Sequence, residues 1–150
     1  MKKFRFPLQP VGVLRAHQEL RAREVFAAAV HHYVQIEQKL AALRKRVAEL
    51  AEMLSSGRTD RFLAANAAAL LRVYRSECQT VIEMERLLLE AQDAMNARRQ
   101  EYIEANRRLK TVHKLEARAR EHHRIEVLRA EQGELDELAG FRAFRQTVLS

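Results

Sequence analysis

Alternate steps of four and three residues from Ala22 land on Phe26, Ala29, Tyr33, Ile36, Leu40, Leu43, Val47, Leu50 and Leu54, ten apolar positions in ten. This is the period of a helix that buries a single seam against another helix; a strand, with a period of two, cannot produce it. The residues between the seam positions are largely Glu, Gln, Lys, Arg and Ala, all good helix formers, so local preference and pattern agree. The spacing predicts a first helix over about 13–54, with Pro10 just ahead of it.

Ser55-Ser56-Gly57-Arg58-Thr59-Asp60 breaks the pattern: Gly57 suits a left-handed helix exit, and Thr59 or Asp60 suits the cap of a following helix. A second walk from Leu63 reads Ala67, Leu70, Tyr74, Glu77, Val81, Met84, Leu88, Ala91, Met95, Arg98, Tyr102, Ala105, Leu109, Val112, Glu116 and Ala119, failing only at Glu77, Arg98 and Glu116. No Pro follows Pro10 and no Gly lies between Gly57 and Gly133, so nothing stops the second helix before the region of Gly133 and Gly140. With two Pro and four Gly in 150 residues, the chain lacks the punctuation of a β-sandwich or of repeated βα units. Much of its 47% hydrophobic content is Ala, which fills narrow seams and not a thick core. The predicted fold is all-α: an elongated antiparallel two-helix coiled coil, a helical hairpin with a longer second helix. It forms one coiled-coil domain, with helix 1 at about 13–54, a turn at 55–60, helix 2 at about 61–138 and a tail at 139–150. The tightest reversal pairs positions whose numbers add to about 115, placing Leu54 opposite Arg61 and Val11 opposite Glu104. Some thirty helical residues of helix 2 then project beyond the start of helix 1.

Several function classes are disfavoured. The longest uncharged runs, such as Leu63 to Leu71, fall well short of the roughly twenty apolar residues of a membrane span. Met1-Lys2-Lys3 imitates the head of a signal peptide, but Pro7, Pro10 and Arg15 interrupt any apolar segment after it, and the expected compartment is the cytoplasm. Cys78, the single cysteine, reads as apolar filler on a helix. The scattered glycines form no phosphate-cradling loop. His31-His32 and His122-His123 are adjacent pairs whose side chains diverge by about 100° on a helix, a poor start for a metal site. Glu–Arg neighbours such as Glu116 with Arg120 read as surface ion pairs, and a thin coiled coil offers no concave, desolvated catalytic site. No enzyme, cofactor, metal or small-molecule substrate is expected.

Charge is uneven along the chain. Residues 1–54 carry ten basic and five acidic groups, 55–97 five and six, 98–129 ten and five, and 130–150 two and four. The net charge of +7 therefore gathers on the two segments that meet at the end carrying the termini, which should attract an anionic surface. The acidic group Glu131, Glu134, Asp136 and Glu137 offers a way to screen that end by folding back. Nucleic acid is a weaker reading of the same charge, because five Glu interrupt the 98–129 segment. Beside Leu70, Tyr74, Val81 and Leu88, helix 2 carries a second apolar stripe of Leu71, Cys78, Ile82 and Leu89. The stripe fits a self-association face, a third helical segment folded back, or a partner-binding groove.

The opening Phe4-Arg5-Phe6-Pro7-Leu8-Gln9-Pro10-Val11-Gly12-Val13-Leu14-Arg15, leading into Glu19 and an Ala-rich helix, resembles the start of the flagellar export protein family FliJ. The segment Leu115-Glu116-Ala117-Arg118-Ala119-Arg120-Glu121-His122-His123-Arg124, with the later Gln132-Gly133-Glu134-Leu135-Asp136-Glu137-Leu138-Ala139, is similar to that family's charged second helix and acidic, Leu-containing close. The resemblance implies a two-helix coiled coil like the central stalk of rotary ATPases. Such a protein enters the ring of the flagellar type III export ATPase, promotes its assembly, links it to the membrane-embedded export gate, and serves as a general export chaperone. With the charge map, it assigns ATPase contact to Phe4, Phe6, Arg118, Arg120 and Arg124, and gate or partner contact to Leu71, Cys78, Ile82 and Leu89. A virulence-type secretion stalk, or a generic coiled-coil adaptor or nucleic-acid binder, is the alternative.

Overall fold

A computed structural model describes residues 3–56 and 64–149. It holds two helices, α1 (Gln9–Ser56, 48 residues) and α2 (Ala64–Val148, 85 residues), and no strand among the described residues. The fold is the antiparallel helical hairpin with a longer second helix that the heptad walks predict. The described residues divide into two compact units: Leu20–Glu104, and the residues before Leu20 together with those after Glu104.

In the Leu20–Glu104 unit, every α1 seam position from Ala22 to Leu54 is buried or half-buried, and so are α2 positions Ala67, Leu70, Tyr74, Val81, Met84, Leu88, Ala91 and Met95. Leu40, at 2% exposure, is the most enclosed side chain of this seam. Leu63 lies outside the described residues. Glu77, which breaks the apolar pattern, is half-buried and meets Arg46 at 3.5 Å, so α1 supplies its counter-charge. Arg98, the other break in this stretch, is exposed and bonded to Glu101.

The register differs from the one expected. Phe26 stacks on Tyr102, with ring centroids 6.0 Å apart, and Arg44 donates to Glu85 at 2.8 Å. These pairs and Arg46–Glu77 have numbers adding to 123–129, not 115. The tightest possible reversal is a local criterion; large aromatic rings facing each other and two cross-helix ion pairs select a different register. The turn expected at 55–60 is corrected in part, since Ser55 and Ser56 are helical; Gly57, Thr59 and Asp60 lie outside the described residues.

In the terminal unit, α1 starts at Gln9 and not near Val13. Pro10 falls in the first turn, where a missing N–H costs nothing. Gly12 also stays helical, and its bare Cα lets Val112 approach: a Cβ there would lie 3.3 Å from Val112 Cγ1. Val11 therefore lies at the level of Val112 and not opposite Glu104. Ahead of α1, residues 3–6 form an irregular strap that puts Phe6 into the interior at 8% exposure, and the Gln9 N–H donates to the Phe6 carbonyl at 3.2 Å.

Beyond Val127 the burial ends, and every residue from Leu128 to Leu149 is exposed. The tail expected at 139–150 is helical through Val148, and Glu131, Glu134, Asp136 and Glu137 stay on that helix and do not fold back. Gly133 and Gly140 each cost about 1 kcal/mol relative to Ala, which is insufficient to stop an already nucleated helix of otherwise strong formers.

Leu40→Ala should lower unfolding stability by about 2–5 kcal/mol, whereas Leu89→Ala, at 63% exposure, should change it by less than about 1 kcal/mol. Urea unfolding followed by circular dichroism measures both.

Candidate functional site

The strap, the first turns of α1 and one face of α2 build the basic surface of the terminal unit. The Phe4 ring meets His123 edge-on at 5.5 Å, and the Arg120 guanidinium lies over it at 5.2 Å. Arg120 also donates to Glu116 at 2.7 Å, so one cation is shared between a carboxylate and an aromatic face. Glu116, an apparent fault in the second heptad walk, is thereby a half-buried anchor for the strap. Phe4, Phe6, Pro7, Pro10 and Val13 wall an open cavity whose polar side includes Glu116 and Arg120.

The five residues assigned to ATPase contact do not form one exposed patch. Phe6 is buried and packs the strap, away from the exposed face of the three arginines. Phe4 is half-buried between Arg120 and His123, while Arg118, Arg120 and Arg124 are exposed on α2. Arg124 donates to Glu121 at 2.8 Å; that hydrogen bond, more than simple charge attraction, holds the Glu121 carboxyl below its ordinary range and pushes the arginine up.

In the Leu20–Glu104 unit the second stripe is on the surface: Leu71, Ile82 (59%) and Leu89 are exposed, and Cys78 is half-buried. Leu71 and Cys78 share the heptad position of Glu85, which Arg44 reaches from α1. The stripe therefore flanks the seam on the side that this ion pair bridges. Val30 shares the position of Arg44, so with Val34 it continues the apolar face onto α1, a contribution that α2 alone does not reveal. The Cys78 thiol, one turn on from Tyr74, pushes the tyrosine hydroxyl above its ordinary range.

The surface least evident in the sequence is the uncovered end of α2, where Leu135, Leu138, Phe141 (69%), Phe144 (66%) and Val148 are exposed. Their helical spacing is visible in the sequence, but Gly133 and Gly140 read as an ending. Among the described residues no three of His, Cys, Asp and Glu converge on a common point, and no helix is long and apolar enough to cross a membrane.

A family model described as "Flagellar FliJ protein" matches residues 4–147. No curated protein and no solved structure matches the chain.

Because the Glu121 carboxyl is depressed by Arg124, its contribution is present above the ordinary Glu range and fades as pH falls through the lowered value. Carboxyl NMR titration of Arg124→Gln should move Glu121 upward, back toward the free-Glu range. An unmoved Glu121 would remove the pairing in solution.

Proposed function

Since the chain belongs to the FliJ family of flagellar export components, we propose that it is a non-enzymatic stalk of the export apparatus, binding the export ATPase ring and the membrane export gate. It works in the cytoplasm at the face of the apparatus, promotes ring assembly, and handles export chaperones on their way to the gate. The observation that carries this reading is the end of α2: past Val127 it runs without a helical partner among the described residues and with its apolar side chains exposed. A lone helix, about 10–12 Å across, is thin enough to enter the pore of a ring. Arg118, Arg120 and Arg124, just before that end, supply positive charge for steering toward an acidic rim. Phe4 and Phe6 act by fixing the strap against Arg120. The apolar stripe of Leu71, Cys78, Ile82 and Leu89 receives the gate protein, in the manner of a helix laid into a groove.

Titration into the purified cognate ATPase, following ring formation and hydrolysis together, tests the first contact. Arg118→Glu with Arg120→Glu and Arg124→Glu should reduce stimulation by about tenfold or more while helicity is retained; unchanged stimulation rejects the assignment.

Leu71→Asp with Ile82→Asp should weaken gate binding by about tenfold or more and leave ATPase stimulation intact. A folded variant that binds the gate normally rejects the second surface.

A further inference from the structure

Several charges of α2 are paired within the helix. Arg86 meets Glu90 at 3.9 Å, Arg98 meets Glu101 at 3.0 Å, Arg120 meets Glu116 at 2.7 Å and Arg124 meets Glu121 at 2.8 Å, each three or four residues apart. At the uncovered end the spacing does not allow such pairs, as it does not at Arg72 and Arg75. Glu134 and Glu137 are spaced three apart, as are Arg142 and Arg145, and neither acid stands three or four residues from either base. Each like-charged pair therefore opposes the helix by a few tenths of a kcal/mol, and opposite charge from outside the helix would relieve it.

The same segment carries a seam of its own. Steps of four and three give Glu134, Leu138, Phe141, Arg145 and Val148 on one stripe. It is rotated away from the hairpin seam, whose continuation falls on Ala130, Gly133, Glu137 and Gly140. Both apolar residues at its centre are exposed, and Glu134, Glu137, Leu138 and Phe141 line an open groove along it.

This stripe is its own complement when reversed. With two copies antiparallel, Leu138 of each faces Phe141 of the other, and Glu134 of each faces Arg145 of the other. Two-fold symmetry repeats both contacts. Glu137 and Arg142 flank opposite rims of the contact and take no part in its charge pairing. A parallel pairing would set Glu134 on Glu134 and Arg145 on Arg145, which is repulsive in both layers. Asp136 takes no part, being bonded by Gln132 on the opposite side of the helix.

We propose that residues 134–148 form an antiparallel homodimer contact between two copies of this chain, with Leu138 and Phe141 as its apolar centre and Glu134–Arg145 pairs fixing its direction. A contact of four turns of helix lies at the small end of protein interfaces, so the dimer is weak, with a Kd of order 10–100 μM. It dissociates in favour of any tighter occupant of the same stripe.

Sedimentation equilibrium of the full chain across roughly 5–500 μM tests it at low salt, with helicity checked for every variant. The wild type should pass from monomer to dimer within that range. Arg145→Glu and Glu134→Arg should each weaken the dimer by about tenfold or more, and the double variant carrying both should return to within about threefold of wild type. Leu138→Ser should give monomer. A wild type monomeric throughout, a dimer indifferent to the single reversals, or a double variant that fails to recover overturns the proposal. None of these outcomes bears on ATPase stimulation, which is measured separately.

Discussion

Everything in this protein depends on one seam between two helices. A contact of this kind encloses very few side chains: Phe6, Ile36, Leu40, Ala91 and Val112 are the buried apolar residues among those described. Removing apolar surface from water is worth about 25 cal/mol per Å², and here the area is spread thinly over many half-buried positions. No short stretch is sufficient, so the pattern has to continue for dozens of residues. The faults that do occur are repaired individually, Glu77 by Arg46 and Glu116 by Arg120. A seam this narrow leaves many large apolar side chains on the surfaces of the described residues.

Those surfaces differ in kind. The stripe around Ile82 and Leu89 is apolar surface in excess of what the seam needs, borne on a pair of helices already held by aromatic stacking and cross-helix ion pairs. It is preorganised, so a partner loses little entropy by ordering it. The strap in the terminal unit is another arrangement. Phe4 is held by Arg120 and His123 at the edge of the packed region, and Gly12 admits Val112 so that α1 can begin close to α2. Packing extends as far as the strap extends, and the helix beyond it must rely on propensity and on whatever covers it.

The seam and the hairpin are legible in the sequence because heptad periodicity is a property of long segments, and the walks from Ala22 and Leu63 sample it many times over. Register is a different quantity. It depends on which side chains face across the contact, here Phe26 with Tyr102 and Arg44 with Glu85, and those choices are pairwise and not periodic. The strap is hidden for a related reason: Phe6 looks like a free aromatic in a Pro-containing start, and only the presence of α2 beside it turns it inward. The end of α2 is hidden because Gly133 and Gly140 carry a real but small penalty, which a growing helix absorbs without a left-handed turn at either. Of the assigned contacts, the apolar stripe on α2 is readable from its spacing, whereas its extension onto Val30 and Val34 requires knowing which sides of the two helices meet.

The position of the glycines bears on what the uncovered end does. Along α2, Gly is absent from the stretch that packs against α1 and the strap, and both glycines of the helix fall in the stretch that packs against nothing. At about 1 kcal/mol each, they lower the stability of a segment whose exposed side chains gain little packing to offset the cost. Local opening of this segment costs less free energy than opening the paired stretch. The segment also gains disproportionately from being covered, because a partner that seats on Leu138 and Phe141 restores the packing that the rest of α2 draws from α1. The exposed apolar residues and the two glycines of this helix end are thus consistent with the proposed contact between two copies.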